Sequence, residues 1–322
     1  MSSKKKPTVN QHIVPQAYLR RFATLTENKN YQIGVGIRKK DERNFFATTQ
    51  SVKNVGFVKN VYEFDCRKDT PNYWENYFAE VIEPFCGTEL SNIISNIESS
   101  QNTAVVLSHE DKCNLSVFIC HQIFRSPQAL EKSVQVGQKS MVRGKEEAQS
   151  ILKSSFPPAL HSFLLSALDN VDFSKDEIKD ILMQSMSDIS QQEERTNALL
   201  DKVWLVYENP TQLQFITSDN PVCRKNFVTN SFSFEENTLK EPNSIILFPI
   251  TPTILIKIIP AQLLGANASI YDGRKFLLGQ SNRSFIAGAN VSQMLQCHRQ
   301  VFMSLDSLQH LDEFSKASKI ND

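Results

Sequence analysis

Apolar side chains along this chain change their spacing twice, and that restricts the fold more than any other feature. Before residue 72 the apolar runs are short and alternate, as in Tyr31-Gln-Ile-Gly-Val-Gly-Ile. From about Tyr73 to Lys202 they recur three and four residues apart, with Trp74, Phe78, Ile82 and Phe85 forming one stripe. Beyond Lys202 alternation returns in Trp204-Leu-Val-Tyr, Gln214-Phe-Ile-Thr, Ile245-Ile-Leu-Phe and Ile254-Leu-Ile-Lys-Ile-Ile. Alternation builds the two faces of a strand, and the longer repeat builds one face of a helix. The order predicts an α+β fold: a small N-terminal β element, a helical middle and a larger, mostly antiparallel C-terminal sheet. Segments 1–72, 73–202 and 203–322 are expected to form one compact unit.

Local signals refine this outline. Pro15 opens a short helix whose apolar side is Tyr18, Leu19 and Phe22. Strands over 31–37 and 44–49, joined by a turn at Lys39-Lys-Asp-Glu, make a hairpin, and 61–64 adds a third strand. Ser108 with Asp111 three residues on starts a helix that ends near Ser126-Pro127. Residues 128–155 are helix-prone but carry few large apolar side chains, a pattern of a mobile or solvent-bridging segment. Further helices are expected over 158–168 and 175–200, and another from Asn282 that feeds a last short strand.

With 322 residues and 40% apolar content, the chain can bury a core without disulfide or metal staples. Its six cysteines are scattered with no C-x-x-C pair, and they are expected to stay reduced. No apolar run is long enough to cross a bilayer, and the polar start lacks the apolar stretch of a secretory leader. A cytoplasmic protein without membrane contact is the expectation. Lys and Arg total 35 and so do Asp and Glu, but the balance hides an asymmetry. Residues 1–60 hold twelve basic side chains against three acidic ones, whereas residues 61–120 hold ten carboxylates against three basic groups. The basic segment either meets a polyanion such as nucleic acid, with Arg20 and Arg21 among the contacts, or packs beside its acidic neighbour.

Four groups of polar residues can carry chemistry. His12 stands before the first helix, where it can move a proton, or can serve as a hydrogen-bonded structural residue. Glu80 and Glu83 are one helical turn apart, a spacing that can hold Mg²⁺ or Mn²⁺, or can belong to a solvated face. Gln122 and Arg125 share one side of an apolar helix; Arg125 needs a phosphate or an internal carboxylate, and Glu83 is the expected partner. Asp219 and Asn220 end an apolar strand before Pro221, either presented to a site or closing their own turn. G-x-S-x-G, Walker, G-x-G-x-x-G and H-E-x-x-H patterns are all absent, so no nucleotide cofactor motif exists.

Taken in order, His12-x-Val-Pro-x-x-Tyr-Leu-x-x-Phe, Glu80-x-x-Glu83, Gln122-x-x-Arg125-x-Pro127, Ser218-Asp-Asn-Pro-Val222, Phe248-Pro-Ile-Thr-Pro252 and a late Asn290 resemble a large bacterial and phage-associated family of unknown function. The resemblance spans about residues 10 to 303 and lends no activity. It implies that His12, Glu83, Gln122, Arg125, Asp219 and Asn220 are motif positions, and it leaves His121 outside the motif. A convergent set of this kind suits phosphodiester cleavage: carboxylates for a metal, Arg125 for a phosphate, His12 for a proton, and residues 1–60 for docking. The expectation is a nuclease or RNase-like effector, with His12, Glu83 and Asp219 catalytic and Gln122, Arg125, Asn220, Arg20 and Arg21 holding substrate. The alternatives are a sensor that binds a nucleotide, a partner protein or a phage component without turnover, and a structural protein with a buried polar network.

Overall fold

A computed structural model describes residues 9–38, 44–233 and 236–320. The N-terminal part holds β1 (Asn10–His12), α1 (Gln16–Leu19), β2 (Thr24–Leu25), β3 (Tyr31–Arg38), β4 (Phe45–Ser51) and β5 (Phe57–Lys59). β3 and β4 form the expected hairpin in register Gly34↔Thr49, while its turn and the lysines at 4–6 lie outside the described residues. The third strand falls at β5 rather than at 61–64, where Tyr62 and Phe64 turn into the core.

The helical middle contains α2 (Tyr73–Tyr77), a π-helical stretch at Phe78–Ile82, α3 (Glu83–Gly87), α4 (Glu89–Ser99) and α5 (His109–Phe124), then α6 (Pro127–Ser155), α7 (Pro158–Asp169), α8 (Lys175–Ser187) and α9 (Ile189–Leu200). α5 opens with a reciprocal capping box between Ser108 and Asp111. The single helix expected over 175–200 breaks at Asp188, which leaves helical geometry and caps the next helix by accepting the Gln191 amide.

The remainder holds β6 (Val203–Glu208), β7 (Thr217–Ser218), β8 (Cys223–Asn226), β9 (Ser244–Pro249), β10 (Ile254–Ile259), α10 (Ala268–Tyr271), β11 (Arg274–Leu277), α11 (Arg283–Gln296), β12 (Gln300–Met303) and α12 (Leu311–Ile320). One sheet has the order β11-β6-β10-β9-β8, antiparallel except where β11 runs parallel to β6. The other runs β2-β3-β12-β7, with β4 also on β3, so the first and last segments of the chain share a sheet. The fold is α+β as expected: β1 and β5 form a small N-terminal sheet of two strands, while β2, β3 and β4 join β12 and β7 in the larger sheet.

Between the helices and the sheets lies a core in which Tyr18 is central. Its ring stacks on Phe248 with centroids 5.7 Å apart, and its hydroxyl bonds Thr217 Oγ1 at 2.7 Å and donates to the Pro249 carbonyl. Val14, Tyr18 and Leu19 have no exposed surface, so three motif positions in and just before the first helix are packing residues. Burying each such side chain stabilises by about 1.5–3 kcal/mol. All six cysteines are free thiols.

Candidate functional site

Motif residues gather at two places on either side of the strand pair β1–β5. β1 pairs antiparallel with β5, His12 opposite Phe57 and Asn10 opposite Lys59. Alternation turns Gln11 inward, where it donates to Glu63 at 2.8 Å and accepts the Tyr62 amide at 2.7 Å. His12 stays half-buried, edge-on to Phe57, with Gln16 Nε2 3.0 Å from its own Nε2. The Gln16 amide nitrogen can only donate, so in this contact His12 Nε2 is the acceptor, a role that the neutral imidazole fills. Burial, and then the nearby Arg125 guanidinium, hold its pKa below the ordinary value.

Behind His12 lies the first cluster, a knot around Arg125. This arginine has no exposed surface; it donates to the His12 carbonyl and, at 3.4 Å, to the Tyr62 hydroxyl, and sits 4.1 Å from the centre of the Phe78 ring. The Tyr62 hydroxyl donates back to the Arg125 carbonyl at 2.9 Å. Glu83 does not pair with it: among the described residues no ion pair joins them, and main-chain and phenolic oxygens take the guanidinium instead. Arg125 Nη1, both amide atoms of Gln122 and Glu75 Oε2 are buried without a hydrogen-bond partner. Glu75, an acid on the same helical stretch as Glu80 and Glu83, has its pKa raised by burial, while Arg125 pulls it down. A sign was available: the π-helical turn that follows Glu75, a feature common at functional sites, sits where the apolar stripe at 74, 78, 82 and 85 stretches to fours. Glu80 lies in that turn and is exposed, whereas Glu83 just after it is half-buried. Among the described residues no three His, Cys, Asp or Glu side chains are grouped to hold a metal ion. His121, set aside in the sequence, is structural: Nδ1 donates to the Val117 carbonyl at 2.8 Å and Nε2 takes the Tyr77 hydroxyl at 3.0 Å, and burial pushes its pKa down to about 4.

The second cluster is a clamp. The carboxylate of Asp219, just after β7, accepts three consecutive main-chain amides, His298 at 2.7 Å, Arg299 at 2.7 Å and Gln300 at 2.8 Å. Burial raises its pKa and the three amides pull against that. Asn220 donates to the Gln296 carbonyl, and Ser218 donates to Gln293 Oε1. Gln293 donates to the Pro221 carbonyl, and Asn290 takes the Ile216 amide and donates to Gln214. One face of α11 thus holds the whole 214–221 segment, and the strand expected over 214–217 shrinks to Thr217–Ser218 because side chains occupy its hydrogen-bonding edge. Gln293 and Gln296 are functional to the fold and carry no spacing that marks them in the sequence.

Beside the clamp, between β5 and the 298–300 strip, lies a cleft of about 420 Å³. One wall is Asn54, Phe57, Val58 and Lys59, with Ile13 beside them; the other is Asp219 and the strip His298, Arg299, Gln300. Gly56 fastens the walls: its carbonyl accepts the Ile13 and Val14 amides and its amide donates to Gln300 Oε1 at 3.3 Å. At φ +67°, with Leu19 Cδ1 2.9 Å from where a Cβ would stand, only glycine fits there without strain. Lys59, His298 and Arg299 are exposed at the rim. Of the two N-terminal arginines, Arg20 is exposed over the Tyr31 ring, whereas Arg21 is committed to the Cys86 carbonyl and Ser91. Among the described residues no ion pair links residues 1–60 to 61–120.

No helix among the described residues is long and apolar enough to cross a membrane. Neither a curated protein nor a solved structure matches the chain. A family described as "Protein of unknown function (DUF4238)" matches residues 10–307, and the chain belongs to that family.

Proposed function

We propose that this protein binds a phosphate-bearing ligand of the nucleotide type in the cleft between β5 and the 298–300 strip. The observation that carries the reading is the rim: Lys59, Arg299 and His298 stand around one cavity whose only carboxylate, Asp219, is already engaged by three amides. A committed carboxylate repels an anion less than a free one, and the two cations remain available to phosphate oxygens. At about 420 Å³ the cavity has the size of a small-ligand site. Among the described residues Lys59 is the one basic residue of the first sixty that lines this cleft, and with Arg299 it supplies a local positive field there.

Titration calorimetry with adenosine and guanosine nucleotides and with short RNA and DNA tests this. Binding should weaken as salt rises from about 50 to 200 mM, and Lys59→Ala with Arg299→Ala should weaken it at least about tenfold. Equal affinity of that double variant would end the reading. Cleavage of the bound phosphodiester is a second reading, supported by one observation: neutral His12 contacts Phe57, a wall of the cleft. Labelled RNA and DNA, incubated with Mg²⁺, Mn²⁺ or chelator beside His12→Ala, decide it. Cutting by wild type that His12→Ala loses supports proton transfer by His12, whereas no cutting leaves binding alone. Cutting that requires metal would bring Glu83 and Glu80 back as ligands.

A further inference from the structure

Burial orders the cleft between β5 and the 298–300 strip from an apolar interior to a charged rim. Among its lining residues Ile13 and Val55 are buried, Ile37 and Phe57 are half-buried, and Lys59 and Arg299 are exposed. Phosphate alone leaves that interior unexplained, because a hydrated anion gains nothing from apolar walls. The gradient suits a ligand with one flat apolar end and one anionic end.

Strand geometry sets the distance between those ends. Phe57 and Lys59 are two residues apart on β5, so their side chains leave the same face of the β1–β5 pair about 7 Å apart. That matches the reach from a nucleobase across its ribose to the phosphate. His12, paired opposite Phe57, meets its ring at 69° with centroids 6.0 Å apart. A T-shaped contact covers at most one face of the Phe57 ring, which keeps the ring available as a stacking platform.

We infer that the cleft takes a nucleotide whose base is unpaired, with the base stacked on Phe57 and the phosphate held by Lys59 and Arg299. This rests on the phosphate-binding reading above and narrows it. A duplex presents phosphates as freely as a single strand does, but its bases are stacked and paired and cannot reach Phe57. Asn54, exposed on the same wall, adds a carboxamide that can both donate to and accept from a base edge. Stacking tolerates any base, so the selection is for an unpaired nucleotide, free or in a strand, rather than for a sequence.

Titration calorimetry on the full chain, at one salt concentration, compares AMP, ribose 5-phosphate, a short oligoadenylate and the same strand paired in a duplex. AMP should bind about 5- to 150-fold more tightly than ribose 5-phosphate, the range that base–aromatic stacking gives. The single strand should bind at least about tenfold more tightly than the duplex. Phe57→Leu should bring AMP down to the affinity of ribose 5-phosphate without changing the latter, whereas Phe57→Tyr should keep the difference. Lys59→Ala should weaken AMP and ribose 5-phosphate alike. Tighter binding of the strand than of AMP identifies polymer as the source of the nucleotide, and the reverse identifies the free nucleotide. Equal binding of AMP and ribose 5-phosphate by wild type overturns the inference and leaves the phosphate reading standing, as does duplex binding as tight as that of the strand. An AMP affinity that Phe57→Leu leaves unchanged overturns it too. Binding of none of the four ends both readings, and the wild-type comparisons decide the matter even if a Phe57 variant fails to fold.

Discussion

Asp219 and Arg125 are both motif residues with almost no exposed surface, but their hydrogen-bonding positions are filled very differently. The Asp219 carboxylate has three amides within 2.8 Å, and every side chain around it, from Ser218 to Gln296, has a partner. Around Arg125, by contrast, a guanidinium nitrogen, a whole carboxamide and a carboxylate oxygen are buried with none. A satisfied polar network fixes one geometry and stabilises it, whereas an unsatisfied one costs free energy that a purely structural element has no reason to keep. The comparison separates motif residues that build the frame from those whose chemistry the frame leaves open. It also divides the effects expected from substitution.

The largest effect belongs to the clamp. Asp219→Ala strips three partly buried amides of a charged acceptor, which should cost about 3 kcal/mol. An ordinary turn residue would lose about 1 kcal/mol. Denaturant unfolding of wild type and variant distinguishes these; a loss near 1 kcal/mol would show that the strip at 298–300 relaxes to water and that the clamp is weaker than its geometry.

Acid should act on the other side of the comparison. His121 is buried neutral against the knot, with its folded pKa near 4 and an unfolded value of 6.5. Between those values the unfolded chain binds more protons than the folded one, so stability falls as pH drops from about 6.5 towards 4. His12, also lowered, adds to the loss. Glu75, raised, opposes it from about pH 4.5 upward, because the folded state holds its proton longer. The net loss should be on the order of 2 kcal/mol, and His121→Gln should flatten it. A melting temperature that does not change from pH 7 to 5 would remove the knot from any account of acid sensitivity.

Substitution within the knot should be milder than in the clamp. Arg125→Met keeps contact with Phe78 and removes a guanidinium that is only partly bonded, at a cost of about 2 kcal/mol, chiefly from Glu75 left without its positive neighbour. Adding Glu75→Gln should recover part of that, a coupling that a double-mutant cycle measures. If Arg125→Met proves as damaging as Asp219→Ala, the two clusters are energetically alike and the distinction fails.

Much of the frame was legible because its signals are local. Alternation in 254–259 and the Ser108–Asp111 cap each depend on neighbours within one turn or strand, and both stand where the sequence places them. What escaped depends on contacts far apart in the chain. The first and last segments meet in one sheet through β3 and β12, and α11 side chains replace a strand edge over 214–216. The candidate site divides the same way. His12, Arg125 and Asp219 were visible as unusual polar residues in apolar surroundings. Glu75 looked like one more acid on an acidic stretch, and Lys59 and Arg299 are common surface types that only the cleft brings together.

The smallest effect should come from two adjacent arginines that the sequence could not tell apart. Arg21 donates to the Cys86 carbonyl and Ser91, joining the first helix to α3 and α4, so Arg21→Ala should cost about 1–2 kcal/mol. Arg20 lies in solvent with its guanidinium 5.4 Å from the centre of the Tyr31 ring, and Arg20→Ala should cost less than about 0.5 kcal/mol. Such a small cost makes Arg20 the cleaner probe of docking. If the basic surface draws a polyanion towards the cleft, Arg20→Ala should slow association with RNA and reduce its salt dependence while the melting temperature stays fixed. Unchanged association kinetics would confine the attraction to the rim groups Lys59 and Arg299, with the rest of the positive charge of residues 1–60 irrelevant to binding.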